Sequence, residues 1–100
     1  MDTLTKDAPR VRAGYDKGAD VLYLSLGNPR EDEGEDRPFG VVLRFDANDE
    51  KPSGVTVIGY VDNGWANNLQ KLAEIVSEHL SVSPSEIIDT IRAVERKSDD

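Results

Sequence analysis

The spacing of the apolar residues changes once along this chain, and that change constrains the fold more than any other feature. Between Val11 and Val61, apolar side chains recur at alternate positions, which is the period of a half-buried strand. From Trp65 onward they recur every three or four residues, which is the period of an amphipathic helix. Strands followed by helices predict an α+β fold, in which the helices cover one face of an antiparallel sheet.

Four segments carry the strand pattern, at 11–15, 20–26, 38–46 and 54–61. In the clearest of them, Leu22 and Leu24 lie on one face and Tyr23 on the other, so the leucine face should meet the helices. Short polar connections between the strands predict a four-stranded antiparallel meander. The acidic run at 30–37 is expected to be a solvated, mobile loop, because like charges repel and resist burial.

Two amphipathic helices are predicted at about 65–97. A stripe of apolar residues with spacings of three and four defines the first helix: Trp65, Leu69, Leu72, Val76 and Leu80. The second begins at Ser83-Pro84-Ser85-Glu86, a capping box with proline at the first helical position. We expect one domain over 1–100, with the sheet at about 11–61. The ends at 1–9 and 98–100 lack apolar periodicity and are predicted to be disordered.

Composition narrows the classes of function. The net charge of −8 argues against a nucleic-acid-binding surface, which needs clustered Lys and Arg, and suits either a basic partner or simple solubility. With no cysteine, the chain has no disulfide, thiolate metal site or cysteine nucleophile. No apolar run approaches the roughly 18 residues of a membrane span, and no secretion signal precedes the first strand, so we expect a cytoplasmic protein.

The sequence offers little catalytic chemistry. His79 is the only histidine, and near the end of a helix it is expected to be a surface residue or a partner of the helix dipole rather than a general base. The segment from Asp46 to Glu50 resembles the start of a calcium loop, but Lys51 and Val57 stand where that loop needs Gly and Glu. No Gly-x-Ser-x-Gly elbow is present. We therefore predict no enzyme activity, no metal and no cofactor.

The second face of the predicted sheet is more apolar than a solvated face should be. Either a partner protein or a second copy of the chain covers it, or the N-terminal arm does so locally. The predicted partner-binding residues come from this face and from the second helix: Tyr23, Val42, Ile58 and Tyr60 on the sheet, and Ile87, Ile91 and Val94 on the helix.

One motif resembles a known family. The string Tyr15-Asp16-x-x-Ala19-Asp20-x-Leu22-Tyr23 precedes an acidic spacer, a Val-Val-Leu strand ending at Asp46, and Gly54-Val55-x-Val57-Ile58. This pattern is similar to domain of unknown function 2283, a family of small, mostly bacterial proteins, and it covers about 11–61. The turn after Asp46 is longer than the family's, and Thr56 stands where an acidic residue is common. No activity is assigned to this family, and the resemblance implies a link to antitoxin partners encoded beside small RelE-like toxins.

Three hypotheses about function follow. The first is a protein-interaction domain, in its most concrete form an antitoxin-like neutraliser of a small basic toxin. The second is a homo-oligomeric structural or regulatory domain, a homodimer held by the second sheet face. The third is a small-ligand binder or enzyme with Tyr23, Tyr60, Asp16 and Asp20 in a cleft. Neither nucleic acid nor a membrane is expected as a partner.

Overall fold

The computed structural model describes residues 11–27 and 30–98. It is an α+β fold with an antiparallel sheet and two C-terminal helices, as the periodicity predicts. Of the ends predicted to be disordered, at 1–9 and 98–100, all but Ser98 lie outside the described residues. The prediction is wrong for Ser98, which is the last residue of a helix. The elements are β1 (Val11–Asp16), β2 (Val21–Leu26), β3 (Asp32–Asp36), β4 (Val41–Asp46), β5 (Pro52–Ile58), α1 (Leu69–Leu80) and α2 (Pro84–Ser98), with short 3-10 turns at Pro38–Gly40 and Trp65–Asn67.

Over the described residues 11–27 and 30–98, the sheet has five strands rather than four, because the acidic run forms β3. The expectation of a mobile loop at 30–37 is therefore wrong. Among the described residues, β3 is an edge strand that pairs only with β4, so its backbone is satisfied on one side while its side chains stay largely in solvent. Asp32 also forms an ion pair with Arg44 at 2.9 Å. Charged edge strands are common in proteins, since charge discourages unwanted edge pairing.

The strand order is β1-β2-β5-β4-β3, so the predicted meander is also wrong. β3 forms the edge of the sheet farthest from β1, and the chain then returns through β4 to β5, which lies beside β2. β5 pairs with β2, aligning Leu22 with Val57 and Leu24 with Val55, and all four side chains are fully buried. Short connections suggest which strands form hairpins, but they do not determine which hairpins lie side by side.

The core lies between one face of the sheet and the two helices. Leu22 and Leu24 contribute to it from β2, as expected, and Leu72 and Val76 from α1. α1 packs over β5 and α2 packs over β1. The amide of Glu86 donates to Ser83 Oγ at 3.3 Å, which confirms the predicted start of α2. Neither helix in the described part of the chain is long and apolar enough to cross a membrane.

β5 ends at Ile58, three residues before the predicted end of the last strand. Gly59 follows with a φ of 73°, a left-handed conformation that stops the alternation of a strand. The prediction that Tyr60 lies beside Tyr23 on the second face is therefore wrong. It is only 1% exposed and lies in the core, whereas Val61 is exposed.

Candidate functional site

The two helices leave part of the sheet uncovered on their own side. Because α1 packs over β5 and α2 over β1, the helix-facing side of β4 borders an open groove of about 580 Å³. The sheet and its turns supply most of the apolar lining, and α1 supplies the opposite wall. The residues that line the groove are Arg37, Pro38, Phe39, Val41, Leu43, Phe45, Trp65, Lys71, Ile75, Glu78 and His79.

One flank of α1 forms the helical wall of the groove. Lys71, Ile75, Glu78 and His79 are spaced four, three and one residues apart, which places them on a single side of the helix. Ile75 is partly buried and gives this wall an apolar centre, while Lys71 and Glu78 are exposed. The wall is therefore apolar in the middle and charged at its edges.

His79 fixes the distance between α1 and β4. Its Nε2 donates a hydrogen bond to the Arg44 carbonyl oxygen at 3.0 Å, and its ring packs edge-to-face on Phe45 with centroids 4.9 Å apart. His79 is thus a half-buried contact between helix and sheet, not the surface residue that its position near the helix end suggested. This contact positions Phe45 within the groove.

Phe39 is the most unusual residue of the site. It lies in the 3-10 turn before β4 and is 70% exposed, although it is a large aromatic side chain. Its backbone is left-handed, with φ of 63° and ψ of 33°, a conformation that costs a residue with a Cβ roughly 1–2 kcal/mol. Such strain persists only where neighbouring groups hold the backbone in place.

Hydrogen bonds and close packing hold that turn. The Phe39 carbonyl oxygen accepts from Trp65 Nε1 at 2.9 Å and from Asn63 Nδ2 at 3.2 Å. Asn63 also donates to the Ile58 carbonyl at 3.0 Å. Gly40 comes next with φ of 83°, and a Cβ there would collide with the Ile58 backbone. The turn is therefore locked from two sides, and it presents Phe39 at the rim of the groove.

The surroundings of the groove are mostly acidic. β3 runs along the outer edge of the sheet and carries four carboxylates between Asp32 and Asp36. Glu74 and Glu78 are exposed on α1. Of the two cations at the rim, Arg37 is bound to Glu35 at 2.8 Å, whereas Lys71 has no salt bridge to another residue that the structure describes. The site thus combines an apolar floor with a negative border.

The family-like motif has a structural role centred on Asp20. Its carboxylate accepts hydrogen bonds from the Val61 amide at 2.9 Å, the Asp62 amide at 3.0 Å and the Tyr15 hydroxyl at 2.8 Å. Bonds from the two backbone amides, the larger cause, and from Tyr15 hold the pKa of Asp20 below its usual value. Asp16 accepts from the Ala19 amide at 3.1 Å and so closes the β1–β2 turn.

Two tyrosines continue this network into the core. Tyr15 and Tyr60 pack edge-to-face with centroids 5.5 Å apart, and the Tyr60 hydroxyl donates to Glu95 Oε2 at 2.5 Å. Burial, and then the bond to Asp20, raise the pKa of Tyr15 to about 12. Burial also raises the pKa of Tyr60, and the bond to Glu95 adds to that effect. Both phenols therefore stay neutral, and they connect β1, the turn after β5, and α2.

In the acidic turn after β4, backbone amides of the turn donate hydrogen bonds to the Asp46 carboxylate. Asp46 is buried and accepts from the amides of Asn48 at 2.7 Å and Asp49 at 3.3 Å. The bond from Asn48 is the main reason why the pKa of Asp46 is lowered. Within 11–27 and 30–98, no group of three or more His, Asp or Glu side chains is arranged to hold a metal ion.

The seven predicted partner-binding residues lie in three different environments. Tyr23, Val42 and Ile58 lie together on the sheet face away from the helices, where Tyr23 is 44% and Ile58 is 51% exposed. Tyr60, Ile87 and Ile91 are instead buried in the core, so none of these three is accessible to a partner in this arrangement. Val94, on α2, is half-buried.

The proposed cleft of Tyr23, Tyr60, Asp16 and Asp20 is not formed, since Tyr60 lies in the core and Tyr23 on the opposite face.

Sequence reasoning missed the groove residues Phe39, Ile75 and His79. Phe39 had one usable signal, a large aromatic side chain between Pro38 and Gly40, both of which are turn formers. Ile75 lies outside the main apolar stripe of α1, so the helical pattern gave it no role. Which strand the helices leave bare depends on tertiary packing, and no local pattern encodes it.

Comparison with protein-family models, with curated proteins and with solved structures found no match to this chain. The resemblance to domain of unknown function 2283 therefore stays a prediction that rests on the motif residues. The structure gives the motif a physical meaning of its own. Tyr15, Asp16 and Asp20 close one turn and attach it to a second turn at 59–64.

Proposed function

We propose that this chain is a non-catalytic protein-binding domain whose groove between β4 and α1 holds an apolar, basic segment of a partner protein. The observation that carries the proposal is Phe39, a 70% exposed aromatic side chain held in a strained backbone conformation beside an apolar groove. Strained residues with fixed geometry are concentrated at binding and catalytic sites. Exposed aromatic side chains are also typical anchors of protein interfaces.

The shape of the groove favours a macromolecule. Its apolar floor includes Leu43 and Phe45, and α1 forms a wall along one side only. An amphipathic helix or an extended segment binds in grooves of this kind through a few apolar anchors, while its other face stays in water. The volume of about 580 Å³ also suits a small apolar ligand. The polar groups, however, lie at the rim rather than converging on the floor, and Phe39 is 70% exposed at that rim, where a partner that extends beyond the groove would cover it.

The charge of the domain favours a basic partner. The whole chain carries a net charge of −8, and the carboxylates of β3 and α1 border the groove. Opposite charge on a partner would accelerate association in a salt-dependent manner. The motif resemblance makes the neutralisation of a small basic toxin the most specific form of this proposal. In that form, the groove would hold an apolar segment of the toxin that is flanked by Lys and Arg.

A capture experiment with paired variants tests the proposal. The tagged full chain is incubated with a lysate of its native host at low salt, and bound proteins are identified by mass spectrometry. We expect a small basic protein in stoichiometric amount, which is lost as the salt concentration rises. Its dissociation constant is then measured by titration with the wild-type domain and with the variants.

The decisive variant is Phe39→Gly. Glycine adopts a φ of 63° without strain, so the free energy of unfolding should stay the same or rise by up to about 1 kcal/mol. Loss of the aromatic anchor should nevertheless weaken binding at least tenfold, as is typical of interface hot spots. Binding would thus fall while stability does not, a combination that a purely structural role for Phe39 cannot produce.

Tyr23→Ala is the matched control, because Tyr23 is also an exposed aromatic residue but lies on the opposite face of the sheet. The proposal predicts unchanged capture by this variant. Equal capture by wild type and Phe39→Gly would refute the groove as the binding site. Capture lost only with Tyr23→Ala would assign binding to the other face, and a bound apolar small molecule in place of a protein would refute the protein-binding role.

A further inference from the structure

The groove between β4 and α1 continues into a smaller depression at each end. At the end where β4 begins, a depression of about 210 Å³ shares Phe39, Trp65 and Lys71 with the groove. At the end where β4 finishes, a depression of about 350 Å³ shares Phe45 with it. Because they share lining residues in series, the three form one concave surface along β4, from the 3-10 turn to the turn after Asp46.

The end beside Phe39 is positive. Lys71, which is exposed on α1, is the only charged residue among the described residues that line the depression there. Arg37 also lines the groove at this end, but it forms an ion pair with Glu35 at 2.8 Å. Lys71 has no such partner in the part of the chain that the structure describes. It therefore leaves one uncompensated positive charge at this end.

The end beside Phe45 is negative. The charged side chains that line its depression are all carboxylates, from Glu33, Glu35, Asp46 and Glu50. Glu33 and Glu50 are exposed and form no salt bridge with another described residue. Glu78, near the end of α1, lines the opposite wall of the groove. The surface along β4 therefore has an apolar middle and ends of opposite charge.

The layer of helices is one helix short of covering the sheet. α2 packs over β1, and α1 packs over β5, two strands further along. Strands lie about 4.8 Å apart, so two strands take up about 10 Å, which is also the distance between the axes of packed helices. The last two strands, β4 and β3, thus leave room for one more helix beside α1. β4 is about 17 Å long, which matches three turns of helix.

We infer that the partner segment in this groove is an amphipathic α-helix of about three turns, with basic side chains at the Phe45 end and an acidic side chain at the Phe39 end. Its apolar stripe packs on Leu43 and Phe45 of the sheet and on Ile75 of α1. The carboxylates of the negative end attract its basic side chains, and Lys71 attracts its acidic one. This inference rests on the proposed function, because it names the segment that the same groove holds.

An extended segment fits the surface less well. β4 is already paired with β3 on one side and with β5 on the other, so a segment lying along it would find no strand to pair with. The free edge at this side of the described sheet is the outer edge of β3. A strand added there would lie beyond Glu33 and Glu35 and would leave Leu43 and Phe45 uncovered. A helix satisfies its backbone internally and covers both.

Two synthetic peptides of identical composition test the helix. One has leucines at helical spacing (i, i+3, i+4, i+7), glutamate in the first turn, lysine in the last turn and alanine elsewhere. The other has the same residues with its leucines at alternate positions, the pattern of a strand. Each is titrated into the isotope-labelled full chain, and the amide shifts are followed by NMR. We expect the helical peptide to shift amides of β4 and α1 and to bind at least about tenfold more tightly than the alternating peptide.

A nitroxide label at the lysine end of the helical peptide tests the order of charges. Its paramagnetic broadening should affect amides near Phe45 and spare those near Phe39. Glu33→Lys and Lys71→Glu should each raise the dissociation constant about fivefold, as is usual for exposed ion pairs. Asp89→Lys, at an exposed position on α2 outside the groove, is the matched charge control and should leave binding unchanged. Circular dichroism checks that all three variants fold.

Equal or tighter binding of the alternating peptide in the groove would overturn the helix, and broadening at the Phe39 end would overturn the order of charges. Failure of the helical peptide to bind at about 1 mM would overturn the inference as a whole. The proposed function fails by a different result, which is equal binding of the captured protein by wild type and Phe39→Gly. An extended partner segment would lose affinity for Phe39→Gly yet prefer the alternating pattern, so the two failures are distinguishable.

Discussion

Asp20 joins two turns that are far apart in the sequence. Its side chain accepts from the amides of Val61 and Asp62 and from the Tyr15 hydroxyl, and its carbonyl oxygen accepts from the amides of Gly59 and Tyr60. Asp20 itself has a φ of 58°, which Asp tolerates better than most residues. A single residue therefore fixes how the chain leaves β5 and enters the helical region.

Asp20→Asn should lower the urea midpoint of unfolding near pH 7. The amide that replaces the carboxylate has one acceptor oxygen, which cannot satisfy all three donors as charged oxygens do. Asp16→Asn is the control, because Asp16 accepts from one amide only and its loss should matter less.

The effect of Asp20→Asn should depend on pH. The pKa of Asp20 is depressed in the folded state, so its contribution is complete above the unfolded value of 3.8 and is lost as pH falls through the folded pKa. The difference between wild type and variant should therefore shrink in urea titrations as the pH falls below the unfolded value of 3.8. A difference that stays constant from pH 7 to that range would contradict the assigned role.

Predictions for single side chains were reliable where local geometry decides the outcome. Successive residues of a strand point to opposite faces, so the buried positions of Leu22 and Leu24 followed from the sequence. Tyr60 was misplaced because Gly59 takes a positive φ, and a glycine in a strand pattern does not reveal whether it bends the chain or continues it. Phe39 was missed as a candidate anchor because its exposure depends on Trp65 and Asn63, more than twenty residues away.

At the scale of elements, α2 was the best-predicted part of the chain. Ser83 and Pro84 mark its start by a mechanism that acts within four residues, and the Glu86 amide bonds to Ser83 Oγ in the structure. The N-cap of α1 was less clear, and Asn68 at that position makes no side-chain capping bond among the described residues. β3 was not predicted as a strand because it consists of acidic residues and Gly, which have low strand propensity.

Ser83→Ala should lower the free energy of unfolding by about 1 kcal/mol, because it removes the acceptor for an otherwise unsatisfied amide of the first turn. Chemical denaturation monitored by circular dichroism measures the change. Ser85→Ala, two residues inside the helix, should alter stability by less than about 0.5 kcal/mol. Equal effects of the two substitutions would indicate that the capping bond is not what stabilises the start of α2.

At the scale of the molecule, the fold class followed from the sequence but the strand order did not. The apolar residues are spaced two apart in the first part of the chain and three or four apart in the second. The first spacing is that of a strand and the second that of a helix, so the sequence specifies a sheet followed by helices. The position of β5 between β2 and β4 depends on which apolar rows fit together, such as Leu24 against Val55 and Leu43. The uncovered helix-facing side of β4 also results from that arrangement, so the groove could not be predicted from the sequence either.

Amide hydrogen exchange should report the strand order. β2 and β5 are central strands covered by helices, so the amides of Leu24, Val55 and Val57 should exchange most slowly. β3 has a single neighbour and exposed side chains, so its amides should exchange fastest among the strands. Exchange measured by NMR would contradict this order if β3 were protected as strongly as β5.

The pairing of β2 with β5 also decides when the sheet can assemble. β1 and β2 form one hairpin, and β3, β4 and β5 form a second unit, but the two share no strand pair until β5 meets β2. During synthesis, the β2 edge of the first hairpin therefore stays unpaired until β5, which ends at residue 58, has left the ribosome. Long-range pairing of this kind slows folding and exposes strand edges to other chains. The centre of the sheet, its most stable region once folded, would then be the last part of the sheet to form.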